Sequence, residues 1–242
     1  MKVIGQPESY SDMLLRISLS TFGVALACTY ALARGVPRIK ALLDALDLEV
    51  QGIPIVGIKL LYIAVPLVIA LLARVFRLHD KISDAIGLRY RFERDYIIHP
   101  MMERLRIEPT DDFDRLLSDR EARGAVMQKV FYRYAGFKTP VIDEQLIRSA
   151  LDEWAWLWCA AEAIFLLLIA AVVQGIAGSS GMAVAMGAVI CALLFIAWSK
   201  YQTCVQTAQA QERAIFDDAG RATVIKQAFL EIESTTVQLT KR

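Results

Sequence analysis

The chain has 242 residues, a formal charge of +1, an apolar content of 56% and a mean hydropathy of +0.41. That apolar content is more than one soluble domain of this length can hide, because its surface needs polar residues. The near-zero net charge excludes any case for nucleic-acid or membrane-surface binding made from overall basicity.

The apolar excess is concentrated in four windows nearly free of charge: Met13–Ala33, Ile53–Ala73, Trp154–Ile176 and Met182–Trp198. About 20 helical residues cross a hydrocarbon core about 30 Å thick. Each window is therefore predicted to be a span, the shorter fourth one ending in Trp198 at an interface. The first is preceded by Glu8 and Asp12 and carries Arg16, with no basic run beyond Lys2. It is expected to be retained rather than cleaved as a signal peptide. Beyond it, Pro37–Leu48 is predicted to be a short interfacial helix. The second window is expected to continue as a helix through Arg77 to Ser83. Residues 1–78 form a transmembrane pair in this reading.

Residues 79–139 are expected to be a cytoplasmic helical region. There Pro109-Thr110-Asp111-Asp112 opens an amphipathic helix carrying Phe113, Leu116, Leu117, Val126, Val130 and Phe131, which ends near Gly136. Thr139-Pro140 supplies a hydroxyl cap and a proline at the first helical position, followed by Asp143 and Glu144 near the positive end of the dipole. A helix is predicted from there to Gly175, about 54 Å at 1.5 Å per residue. After the uncharged link Ala177–Gly181, a further helix is predicted from Met182 through Lys200 and Tyr201–Gln211 to about Asp218. Residues 140–218 thus read as a transmembrane hairpin whose arms continue as a cytoplasmic stalk. The stretch 219–242 ends the chain with a cytoplasmic helix at about Arg221–Leu239. No alternating strand pattern of useful length appears, so the expected fold is an all-α membrane protein with four transmembrane helices.

Arg74–Glu153 contains 15 basic and 15 acidic residues, and Ser199–Arg242 contains 6 and 5. Positive residues close to span ends mark the cytoplasmic side. Arg74, Arg77 and Lys81 after the second span, and Lys200 after the fourth, place both termini and the long middle segment in the cytoplasm of a bacterial inner-membrane, multi-pass protein. Arg34, Arg38 and Lys40 oppose this assignment, partly balanced by Asp44, Asp47 and Glu49.

Signatures of catalysis are absent: there is no GxSxG, Walker loop or HExxH, and the histidines are His79 and His99. The expectation is no enzyme, no cofactor and no metal. Cys28, Cys159, Cys191 and Cys204 read as buried apolar thiols. Two ionisable residues fall inside spans, Lys59 and Glu162. Such groups are costly in lipid and mark pores or cavities, though Lys59 lies near a span end, where it can snorkel.

The segment Lys81–Arg106, KISDAIGLRYRFERDYIIHPMMERLR, interleaves arginines with aromatics. Basic groups beside aromatic faces suit phosphates and stacked bases. The candidate ligand-binding residues are Arg89, Tyr90, Arg91, Arg94, Tyr96, His99, Arg104 and Arg106, with Arg133 and Lys138 from a second patch. The competing reading is a helical surface whose arginines pair with Glu93, Asp95 and Glu103.

On Lys81–Arg106 and the stalked hairpin, the chain resembles the membrane effectors of bacterial nucleotide-signalling anti-phage systems, the Hailong-type transmembrane effectors. The resemblance implies a homotetrameric ion channel, closed by single-stranded deoxyadenylate oligomers from a partner nucleotidyltransferase and opened when they fall. Beside it stands an expectation of another class, a non-conducting membrane scaffold whose stalk binds a cytoplasmic protein.

Overall fold

The computed structural model describes residues 6–45, 60–136 and 141–240, with side chains to Ser234. Among these residues the chain is helical, without strands. The helices are α1 (Tyr10–Gly35), α2 (Pro37–Ala45), α3 (Leu61–Val75), α4 (Leu78–Ile86), α5 (Leu88–Glu93), α6 (His99–Arg104), α7 (Asp111–Ser118), α8 (Arg120–Met127), α9 (Glu144–Ile176), α10 (Ser180–Phe216) and α11 (Ala219–Thr240). Two π-helical turns, Arg94–Ile98 and Gln128–Tyr132, follow α5 and α8.

Helices α1, α9 and α10 are long and apolar enough to cross a membrane, and α3 with α4 adds a fourth if that bent pair is one span. This is the composition of a membrane protein. The expected straight continuation from the second window to Ser83 is not found: α3 and α4 meet at 59°. The break falls at Arg77, whose φ of 50° is left-handed, a conformation that costs a non-glycine residue energy. Its side chain is held there by Asp80 at 2.8 Å and by a bond to the Tyr10 hydroxyl at 3.3 Å.

The start predicted at Thr139-Pro140 also differs. Thr139 and Pro140 lie outside the described residues, but Val141–Asp143 are not helical and α9 begins at Glu144. The cap is Asp143, whose carboxylate accepts from the Gln145 N–H at 2.9 Å. A charged acceptor at the positive helix end outcompetes a hydroxyl further upstream. In the middle segment Thr110 does cap α7, accepting from the Phe113 N–H. The single helix expected from there to Gly136 is, however, cut at Asp119. Asp119 is extended and accepts from the Ala122 N–H at 2.8 Å, starting α8 afresh.

The chain divides into two compact units. The first comprises the described parts of Tyr10–Ile82 and Trp154–Tyr201. In it α1 lies along α3. Cys28 of α1, Ala170 of α9 and Met186 of α10 form one buried cluster. Ala33, Leu43 and Tyr62 join α1, α2 and α3 in another. Gln174 is fully buried and donates to the Ala31 carbonyl at 2.7 Å. Gly35 makes room for it, since a Cβ there would meet Gln174 Oε1 at 2.1 Å. Among the described residues most of the apolar surface of α10 is uncovered: Val184 is 73%, Phe195 74% and Trp198 62% exposed. Cys191, expected buried, is exposed on this helix, whereas Cys28, Cys159 and Cys204 are buried.

The second unit comprises Gln6–Ser9 with the described parts of Ser83–Glu153 and Gln202–Arg242. Its core contains Ile98, Met101, Phe113, Leu117, Met127, Ile225 and Phe229, all essentially inaccessible. Phe113 and Phe229 meet edge to face at 6.3 Å. The C-terminal helix α11 therefore packs on α7 of its own chain.

Candidate functional site

Among the described residues, each unit encloses a network of buried charge. In the first unit the centre is Glu162, which α9 carries among apolar residues and which is 2% exposed. Oε1 accepts from the backbone N–H of His79 at 3.1 Å, and the Nδ1 of that imidazole stands 3.4 Å away. The break at Arg77 explains why this N–H is available: it lies in the first turn of α4, where helical donors have no partner of their own. A carboxylate at that position also faces the positive end of the helix dipole. Oε2 contacts the hydroxyl of Thr21 on α1. Glu162 thus ties α1, α4 and α9 together. A small cavity adjoins it, lined by Leu14, Ile17 and Ser18 of α1 and Ala70 and Arg74 of α3, with His79 and Glu162. It has room for about one water molecule. His79 is also buried, its ring 6.1 Å from that of Trp158. Its Nε2 has no hydrogen-bond partner, Asp80 Oδ1 being 3.9 Å away.

In the second unit the centre is Glu93. Arg123 Nε donates to its Oε2 at 2.8 Å, and Arg89 Nε and the Tyr132 hydroxyl donate to Oε1 at 2.8 and 3.0 Å. Arg123 and Glu93 are both nearly inaccessible, and a further guanidinium N–H of Arg123 donates to the Leu117 carbonyl at 2.9 Å. Burial works against the charge on Arg89, but Glu93 and Tyr132 outweigh it and hold the guanidinium above its ordinary range. Burial and the adjacent Glu93 carboxylate push the Tyr132 phenol up. The two π turns border this network, one beginning after Glu93 and the other carrying Tyr132. Such turns are frequent at functional sites.

The residues expected to bind a ligand divide accordingly. Arg89 is taken up by Glu93. Arg94 donates to Asp95 at 2.6 Å and to the Tyr90 hydroxyl at 2.8 Å, and these bonds raise its pKa. The Tyr90 ring has Arg94 and Arg123 over it at 4.9 and 5.3 Å. Tyr96 packs against the buried Phe92 at 5.9 Å. His99 bonds Asp114 at 2.9 Å. Arg104 lies over Phe216 at 5.2 Å, with Glu212 at 3.9 Å. Arg91, Arg106 and Arg133 are exposed and make no ion pair among the described residues. Lys59 and Lys138 lie outside the described residues.

Glu93 is named from sequence as a partner of the arginines, and the structure pairs it with Arg89; Thr21, Arg123 and Tyr132 carry no such signal in the sequence. The Arg89/Glu93 spacing of four was the one local signal for the second network. Among the described residues no group of three or more His, Cys, Asp and Glu side chains could hold a metal ion.

These features define an all-helical protein with apolar, membrane-length helices, a buried carboxylate–imidazole pair in one unit and a buried carboxylate–guanidinium pair in the other. Residues 9–231 match the model of the YmfE protein family, and the chain belongs to that family. No curated protein and no solved structure matches it.

Proposed function

We propose that the chain is an oligomeric ion channel with four spans in the bacterial inner membrane and cytoplasmic termini, gated by a nucleotide or short single-stranded DNA oligomer in anti-phage defence. The observation that carries this reading is Glu162, an ionisable side chain buried among apolar helices beside a small, mostly apolar cavity that Arg74 and His79 also line. Ionisable groups at such depth usually line ion or proton pathways. The bare apolar face of α10 supports self-association, with a tetramer the state implied by the Hailong-type resemblance. The exposed cations Arg91, Arg106 and Arg133 are the part of the arginine set best suited to a polyanion made by a nucleotidyltransferase. Such a ligand gates only through different affinities for the open and closed states.

Flux through purified protein in vesicles tests the reading. Wild type is expected to conduct, and Glu162→Gln to change conductance or cation selectivity. Identical currents would remove Glu162 from the path, and no current in wild type would leave the scaffold reading. The ligand face is tested separately with a deoxyadenylate oligomer. Arg91→Ala is expected to weaken binding and to reduce the salt slope by about one. Unchanged affinity at two salt concentrations rejects Arg91. The scaffold reading has one observation in its favour: Arg89, Arg94, Arg104 and His99 are engaged within the chain.

A further inference from the structure

We infer that Glu162 is an exchangeable proton-binding site whose ionised form latches the bend between α3 and α4. The inference deepens the reading of Glu162 as the polar centre of the membrane-embedded unit, and it does not depend on conduction.

It follows from counting hydrogens. A threonine hydroxyl has one hydrogen to donate. Thr21 Oγ1 has two oxygens within reach, the Ile17 carbonyl at 2.8 Å and Glu162 Oε2. A carbonyl can only accept, and so can an ionised carboxylate. Both contacts become full hydrogen bonds only when Glu162 carries a proton: Glu162 Oε2–H donates to Thr21 Oγ1, and Thr21 donates to Ile17. With Glu162 ionised, the hydroxyl turns to the carboxylate and gives up its bond to Ile17. One arrangement of heavy atoms thus serves both protonation states.

A second, independent observation lies on the other side of the carboxylate. The His79 side chain is 6% exposed, and its Nδ1 faces Glu162 Oε1. A neutral imidazole donating from Nδ1 leaves Nε2 as an acceptor, and no donor reaches that atom. Asp80 Oδ1 is 3.9 Å from it, beyond direct hydrogen-bond distance. Asp80 in turn pairs with Arg77 at 2.8 Å, and Arg77 is 54% exposed. The series Arg77, Asp80, His79, Glu162 runs from an exposed group to the buried one. Among the described residues, Arg74 of α3 lines the cavity with Glu162, and Cys159 of α9 lies within electrostatic reach of both Glu162 and Arg16 of α1.

Protonation also changes a mechanical contact. The His79 N–H lies in the first turn of α4, and an ionised carboxylate accepts from it far more strongly than a neutral acid does. Loss of that charge weakens the hold on a helix that is already broken from α3 at Arg77.

The test is infrared difference spectroscopy of the full chain in lipid vesicles, titrated from about pH 8 to about pH 4, the range in which carboxylates and imidazoles ordinarily ionise. A protonated carboxyl gives a carbonyl stretch well above the carboxylate bands. All acidic side chains contribute there on acidification, so the readout is the wild-type-minus-Glu162→Gln difference, which is expected to show one additional carboxyl band that grows as the pH falls. Thr21→Val, which removes the hydrogen-bond partner, is expected to keep the band but shift its frequency. The amide bands of the same spectra report that each variant is helical, and Thr21→Val carries the test if Glu162→Gln is not. Identical wild-type and Glu162→Gln titrations overturn the inference. So does a Glu162 band present at every pH, and so does a frequency unmoved by Thr21→Val. Currents play no part in the readout, so a chain that binds this proton but conducts nothing retains the inference and loses the channel.

Discussion

Arg123→Leu is expected to destabilise the second unit by about 3 kcal/mol or more, because it strips a buried carboxylate of its buried partner. Glu93 Oε2 loses its donor at 2.8 Å, and the Leu117 carbonyl loses its bond to the guanidinium. Arg89 and Tyr132 still reach Oε1, so the network is damaged rather than abolished. The measurement is hydrogen exchange over residues 88–132 of the full chain in detergent. Protection is expected to fall by about two orders of magnitude at about 1.36 kcal/mol per factor of ten. The double variant Arg123→Leu with Glu93→Leu is expected to recover most of the loss, since exchanging a buried ion pair for apolar groups is often neutral. A single variant as protected as wild type would mean that the pair contributes nothing to holding α5 and α8 together.

Phe113→Ala is expected to have an effect at least as large, through packing rather than charge. Its side chain is fully buried and meets Phe229 edge to face at 6.3 Å. Removing a buried phenyl ring costs roughly 3–5 kcal/mol in transfer and cavity terms. Because Phe229 lies on α11, the loss is expected to appear as faster exchange and proteolysis of residues 219–234, with the first unit unaffected. Phe229→Ala should reproduce it, and the two together should cost less than the sum, since both remove one contact. Strict additivity would show that the rings act independently.

Much of this architecture was legible in the residues. Met13–Ala33 lies within α1, Trp154–Ile176 within α9 and Met182–Trp198 within α10. Thr110 opens a helix as its position before two aspartates predicts. Glu162 stood out as a charge in an apolar run. Its partners did not: Thr21 is 141 positions away and His79 is 83. The bend at Arg77 had no proline or glycine to announce it. The left-handed residue is an arginine held by Tyr10 and Asp80, and only the Asp80 contact is local. The arginine-rich segment shows the same division. Its helical character and its pairing with Glu93 and Asp95 follow from near neighbours. The burial of Arg123 against Glu93 required α8 to fold back across α5.

Three of the four windows are legible from the residues alone as helices apolar enough to cross a membrane, because hydropathy is a sum over neighbouring residues; the second ends in the bent pair α3 and α4, and its first residues lie outside the described ones. Which charges are buried, and against what, depends on packing between distant helices: Glu162 meets Thr21 and His79, and Glu93 meets Arg123 and Tyr132. A buried charge is stable only where donors from separate helices converge on it, and that convergence is a property of packing.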